Sequence, residues 1–309
     1  MAGVPAKNLN KGREARLFKP DVSLPERQPM QKIESVAEMR SVAAQLKASG
    51  QTVALVPTMG ALHAGQAALI RAAGQKAGVV IVSLFVNPLQ FGPNETMANY
   101  PRSMAEDLAL CEACGAQIVF LPTVAEIYPK GYSTYISEEQ IARTLCGLSR
   151  PAHFRGVTTM MAIFFNLIHP DFAFYGQKTA QRAAIVRKMA ADLHFGVEIV
   201  VVPTVREADG LATGVSNRNF TTSQRTEALA LSRALTKVKE MTAAGVRNPD
   251  RLIAEATHIL SQHRRVRIIY ISIVDMVTLE PAREVTAGKT MLALAAWVDE
   301  VRLVDNVLL

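Results

Sequence analysis

Cysteine is scarce in this sequence, long apolar runs are missing, and nothing in it repeats. Three cysteines, an odd number, argue against a disulfide framework and fit a reducing compartment, so the cytoplasm is the expected location. Cys111 and Cys114 form a CxxC inside a helical pattern. With no second Cys or His pair nearby they read as two helix residues, not a zinc or redox site. No apolar run is long enough to span a bilayer, which excludes a membrane partner. The opening MAGVPAKNLNKGREARLFKP is basic but lacks the apolar core of a secretory signal. No basic run is interleaved with aromatics and no nucleic-acid-binding motif is present, which argues against nucleic acid. Low-complexity segments are absent too.

What remains is a globular chain. Hydrophobic residues make up 49% of 309 positions, enough for two domains with a well-buried core. The formal charge of +7 suits anionic small molecules such as nucleotides; a merely solvated basic surface stays open as the plainer reading.

Residues 1–29 are polar and basic and read as a flexible extension. Strand and helix signals then alternate. Val79–Val86, Gln117–Leu121, Phe172–Tyr175 and Val197–Val202 read as strands, and Ser103–Cys114, Val157–Ile168 and Ala180–Leu193 as helices. This predicts a doubly wound α/β domain over 30–204, with a parallel sheet, helices on both faces and ligands beyond the carboxyl ends of the strands. From about Thr204 the pattern changes to two long helices (222–245 and 248–262) followed by strands at Val266–Val274, Thr290–Trp297 and Val301–Val304. Residues 205–309 are therefore expected to form a smaller α+β unit.

The most informative stretch joins the apolar run Val53–Val56 to Pro57, a glycine-bearing turn and a helix carrying Leu69, Ile70 and Ala73 on one side. His63 and Gln66 fall where the turn enters that helix, three residues apart, so both can point toward one ligand. A helix start with free backbone N–H groups and a positive dipole end suits phosphate.

This stretch resembles the PTMGALHxGH motif of the pantothenate synthetase family, within the HIGH-type nucleotidylyltransferases. Pro57, Thr58, Met59, Gly60, Ala61, Leu62, His63 and Gly65 match, and Gln66 stands where the family has its second histidine. The resemblance runs from Met30 to Leu309 through Phe85–Gly92, Tyr100-Pro101-Arg102, Arg150-Pro151, His153–Val157, Tyr175-Gly176 with Lys178, and Pro203–Leu211. It implies activation of pantoate by ATP and Mg2+ to an acyl-adenylate, attack by β-alanine, and a homodimer whose C-terminal unit closes over the cleft. It further implies His63, Gln66 and Lys178 as catalytic residues. Pro57, Thr58, Met59, Gly60, Gly65, Gly176, Val205 and Ser216, with His63 and Lys178, would line the nucleotide. Met59, Asn87, Gln90, Gln181 and Arg182 would contact the acid, and the protein offers no metal ligands of its own. Plainer roles stay open for several of these. His63 and Asn87 could serve local turns, Lys178 could be a surface lysine, and His153 is balanced between structure and ligand.

Departures fall on chemistry-bearing positions. Besides Gln66, Thr179 replaces an aspartate, Arg182 a glutamine and Cys146 a glutamate. The Ser-Ser-Arg-Asn loop reads Gly214-Val215-Ser216-Asn217, with Arg218 next. Arg218 or Arg182 is expected to supply the missing cation. Three functions stay open: a pantothenate-forming ligase, a paralogous amide ligase whose different acid gives Arg182 an additional negative or carbonyl group to read, and a non-catalytic binding protein of the same fold.

Overall fold

The computed structural model describes residues 29–92 and 97–309. The expected extension over 1–29 falls almost wholly outside the described residues. The chain runs β1 (Gln31–Ile33), α1 (Val36–Ala48), β2 (Val53–Thr58), α2 (Ala64–Lys76), β3 (Val79–Leu84), α3 (Met104–Ala113) and β4 (Ile118–Phe120). Short helices α4 (Val124–Ile127) and α5 (Cys146–Ser149) lead into α6 (His153–Ile168), β5 (Phe172–Gly176), α7 (Ala180–Asp192) and β6 (Glu198–Val202). Then follow α8 (Thr222–Ala243), α9 (Pro249–Ser261), β7 (Val266–Asp275), β8 (Thr290–Val298) and β9 (Val301–Leu308).

Strands β1–β6 form one parallel sheet in the order β1-β4-β3-β2-β5-β6. Side chains alternate between two cores, as strand geometry requires. Leu55, Ile81, Phe120 and Ala173 pack on one side beneath α1, α6 and α7. Ala54, Val56, Val80, Val82 and Phe174 pack on the other beneath α2 and α3. The strands are therefore apolar throughout, and the expected doubly wound α/β class is what is observed. Strands β7–β9 form a separate antiparallel sheet covered by α8 and α9. Among the described residues no helix is long and apolar enough to cross a membrane.

Most element boundaries fall within one or two residues of the sequence reading, and the larger differences have physical reasons. The edge strand β1 and helix α1 precede the first expected strand; three residues are too few to display a period. Helix α6 begins at His153, not Val157; its first turn mixes buried His153 and Phe154 with exposed Arg155, which breaks the apolar run. Strand β9 continues four residues past Val304, pairing Leu308 with Met291. It carries buried Asp305 and Asn306, which the apolar criterion passes over.

The sheet order reverses between β2 and β5. These strands pair only at Ala54 with Phe172 and Leu55 with Ala173, then part. Pro57, which has no N–H to give, sits in the parted section, where β2 pairs with β3 alone. A topological switch point opens there, at the carboxyl ends of the strands, where open α/β sheets bind ligands.

The floor of this opening is set by helix α6. A side chain at Gly156 would run into the Leu89 carbonyl, and the Gly156 carbonyl accepts from Asn87 Nδ2 at 2.9 Å. Gly156→Ala is expected to lower stability by about 1–3 kcal/mol through overpacking against backbone. Urea unfolding checks this; a wild-type midpoint would contradict it.

Candidate active site

A cavity of about 660 Å³ lies over the switch point, walled on one side by the parallel-sheet unit and on the other by β7–β9. Its size is that of a small-molecule site. Met59, Gln90, Lys178, Arg182, Tyr270 and Asn306 are among its walls. The two units meet around it. Asn306 Nδ2 donates to the Gln177 carbonyl at 2.7 Å, Gln177 Nε2 donates to Asn306 Oδ1 at 2.8 Å, and Arg302 donates to Ser149 Oγ at 2.9 Å.

The turn after β2 is held by a residue that the sequence reading missed. Buried Asp107 on α3 accepts from the backbone N–H of Leu62 at 2.7 Å and of Ala61 at 2.8 Å. Gly60 has φ +85°, and a side chain there would approach this carboxylate. The signal available in the sequence was an acidic residue within an otherwise apolar helix face. Thr58 shapes the same turn, donating to the Ser83 carbonyl at 2.7 Å.

His63 is the N-cap of α2. Its Nδ1 accepts from Gly65 N–H at 3.1 Å, which fixes the ring proton on Nε2 as a donor. A side chain at Gly65 would come within 2.8 Å of this ring, so glycine lets the imidazole fold back. Burial first, then the charges of Lys178 and Arg218, pull His63 down to about 4. The imidazole is therefore neutral at pH 7.

Lys178, just past β5, donates from Nζ to the Thr213 carbonyl at 2.8 Å. A side chain at Gly214 would come within 2.5 Å of that ammonium. Burial holds Lys178 below its ordinary value, opposed by Asp305 and Glu207. Arg218 reaches over the turn to the Leu62 carbonyl at 2.7 Å. The loop after β6 thus brings the charges of Arg218 and Lys178 to bear on His63. Ser216 is on the cavity wall.

Several expected contacts are corrected. The Oε1 of Gln66 is not turned with His63 toward a ligand; it accepts from the His63 N–H at 3.0 Å, closing a capping box. Asn87 is fully buried and engaged: its Oδ1 accepts from Leu89 N–H and Tyr128 Oη, and its Nδ2 serves Gly156. Gln181 borders the cavity, yet its amide is taken up by Cys146 N–H and the Ile141 and Thr144 carbonyls. Val205 stands off the cavity, its carbonyl accepting from Thr213. Gly176 is not among the corrected contacts: it faces open space, with Thr179 Oγ1 donating to its carbonyl at 3.2 Å.

Gln90 and Arg182 remain as polar groups facing the cavity. Gln90 Nε2 meets Met160 Sδ at 3.8 Å and its Oε1 has no partner among the described residues. His153 lies beside them, its Nδ1 at 2.9 Å from the Gln90 carbonyl. A carbonyl only accepts, so Nδ1 carries the proton and Nε2 turns a lone pair toward Arg182 Nη2 at 3.5 Å. Burial, then Arg182 and Arg150, pull His153 down to about 3. Cys146 Sγ lies 3.1 Å from Tyr270 Oη, joining the two units across the cavity.

Fold and site together define an α/β protein with a cationic cluster at the carboxyl ends of its strands. Comparison with known proteins narrows this class. The family model for pantoate–β-alanine ligase matches residues 31–308. The pantothenate synthetase of Moorella thermoacetica is 45% identical over 280 residues, covering 91% of this chain and 99% of that protein. The structure of the Thermus thermophilus pantothenate synthetase superposes with a TM-score of 0.85 at 38% identity, covering 90% of this chain and 99% of its own. A Francisella tularensis pantoate–β-alanine ligase, solved with β-γ ATP and β-alanine, gives 0.72 at 28% identity, covering 91% of this chain and 98% of that one. The chain belongs to the pantothenate synthetase family, whose members are ligases.

His63→Asn keeps an N-cap acceptor but removes the Nε2–H. Thermal stability near wild type is expected, with turnover lower by about 10²-fold or more, the usual loss for one transition-state donor. Collapse of stability together with activity would show that the ring serves the cap alone. The same variant carries a pH signature. The folded His63 resists protonation down to about 4, whereas the unfolded residue binds a proton below 6.5. Its contribution is thus present above pH 6.5 and is lost as pH falls toward 4. The Tm of wild type should therefore fall relative to that of His63→Asn as pH is lowered across that window. A constant difference would contradict the assignment.

Proposed function

We propose that this protein is an ATP-dependent ligase joining pantoate to β-alanine through an acyl-adenylate. The observation that carries this reading is the convergence of Lys178, the neutral His63 and Arg218 on the parted ends of β2 and β5, beside the start of α2. A pantoate carboxylate oxygen attacks the α-phosphorus of ATP, the bond to the bridging oxygen breaks, and pyrophosphate leaves. Negative charge builds on the α-phosphate oxygens, where His63 Nε2–H and the two cations act as fixed donors. The β-alanine amine then attacks the acyl carbon, AMP departs with the former carboxylate oxygen, and the nitrogen loses a proton. The Francisella tularensis relative, solved with β-γ ATP and β-alanine, supports the nucleotide and the amine of this substrate set.

Among the described residues no group of three or more metal-ligating side chains occurs. Mg2+ would therefore arrive with the nucleotide, held by phosphate oxygens and water. Residues 205–309 act as a lid in this reading, excluding water from the adenylate, and residues 30–204 carry the nucleotide. The family resemblance extends the proposal to a cytoplasmic homodimer.

Pyrophosphate release from the purified protein with ATP, Mg2+, pantoate and β-alanine tests the proposal. Release should depend on both the acid and ATP and fall at least about 10²-fold in Lys178→Ala. ATP binding by calorimetry without pyrophosphate release would overturn the ligase reading in favour of a binding protein.

A further inference from the structure

The loop between β6 and α8 carries much of the phosphate site. Thr213 accepts from Lys178 Nζ, Ser216 lies on the cavity wall, and Arg218 crosses to the Leu62 carbonyl. The first half of the loop is a hairpin. Arg206 pairs with Ala212, Glu207 N–H donates to the Leu211 carbonyl at 2.8 Å, and Thr213 N–H donates to the Val205 carbonyl at 2.9 Å. Gly210 closes this hairpin at φ +93°. The second half is a single tight turn, Val215–Asn219. Its hydrogen-bond geometry is poorer than that of an α-helix, so the turn depends on anchors from outside.

Glu207 supplies that anchor. Its Oε1 accepts from Asn217 Nδ2 at 2.6 Å, and its Oε2 accepts from Arg225 Nη2 at 2.5 Å. Asn217 is buried, and its Nδ2 also donates to the Ala212 carbonyl at 2.9 Å. Arg225 stands near the start of α8, and its Nε donates to Asp209 Oδ2 at 2.8 Å. One carboxylate therefore ties together the hairpin, the tight turn and the start of α8. Asn217 immediately precedes Arg218, so the backbone that bears the guanidinium is fixed one residue away. Bonds to an ionised carboxylate are about twice as strong as neutral ones, which suits a clamp that is only partly buried. Both oxygens of Glu207 are engaged by protein donors, so the carboxylate acts on the loop and not on a ligand.

We infer that Glu207 is a positioning residue for the phosphate site: by clamping Asn217 to Arg225 it holds Arg218 over the turn that follows β2. The inference rests on the reading of Arg218 as a phosphate ligand given above, and adds the residue that sets where this cation stands. Charge alone predicts the opposite sign. A carboxylate close to bound phosphates repels them, so its neutralisation would tighten nucleotide binding. Loss of a clamp weakens it.

Calorimetry on the full chain with α,β-methylene-ATP and Mg2+ tests this. Glu207→Gln keeps the size of the side chain but offers one acceptor where two are needed. It should weaken nucleotide binding by about fivefold or more, with Tm near wild type. In an Arg218→Ala background the same change should cost less than about twofold, because the group it acts through is gone. Asp209→Asn neutralises the carboxylate that shares Arg225 but not Asn217, and should bind nucleotide as wild type does. Unchanged or tighter binding by Glu207→Gln would overturn the inference, as would an equal loss with and without Arg218. Pyrophosphate release separates the two proposals. Release by wild type together with an unaltered nucleotide affinity in Glu207→Gln overturns the inference and leaves the ligase reading standing. Weaker nucleotide binding by Glu207→Gln, in a protein that releases no pyrophosphate, supports the inference and overturns the ligase reading. A wild type that binds no nucleotide overturns both.

Discussion

The parting of β2 from β5 is the constraint on which the rest of the structure depends. Two central parallel strands pair over two residues each and then diverge, with Pro57 at the divergence where no ladder bond is available to it. Each strand then ends in a turn at the same opening. The turn after β2 presents His63 at the start of a helix, and the turn after β5 presents Lys178. Neither residue is brought there by its own preference; the sheet order places them.

Once that opening exists, its edges have to be held. Asp107 closes the first turn by accepting two backbone N–H groups, and the Thr213 carbonyl fixes the ammonium of Lys178. Glycines at 65 and 214 let the histidine ring and the lysine ammonium come closer than a side chain would permit. The second unit supplies the opposite wall, anchored by Arg206 to buried Asp305 at 2.7 Å and by the paired amides of Gln177 and Asn306. The loop between the units carries Arg218 back across the first turn.

Much of this is legible in the sequence because burial on both faces leaves continuous apolar strands, and alternation with helices follows from a parallel sheet. The placement of His63 at the head of a helix and of Lys178 beyond a strand could be read for the same reason. What could not be read was which polar atoms were already engaged. Asn87, Gln181 and Gln66 carry the right chemistry for ligand contacts, yet their amides serve backbone groups distant in sequence or, for Gln66, the cap of its own helix. Asp107 shows the converse: its place on the apolar face of α3 signalled burial, but the turn it holds, at Ala61 and Leu62, is far away in sequence. Arg182 was legible as a departure from a family pattern, whereas its lack of a carboxylate partner among the described residues required the structure.

The central claim is that His63, Lys178 and Arg218 surround the phosphates of a nucleotide at the parted strand ends. A co-crystal structure with α,β-methylene-ATP and Mg2+ tests it most directly. The account predicts an α-phosphate oxygen within about 2.7–3.2 Å of both His63 Nε2 and Lys178 Nζ, with Arg218 on the phosphate chain. A nucleotide bound elsewhere, or one whose phosphates leave Lys178 engaged with Thr213 alone, would contradict it.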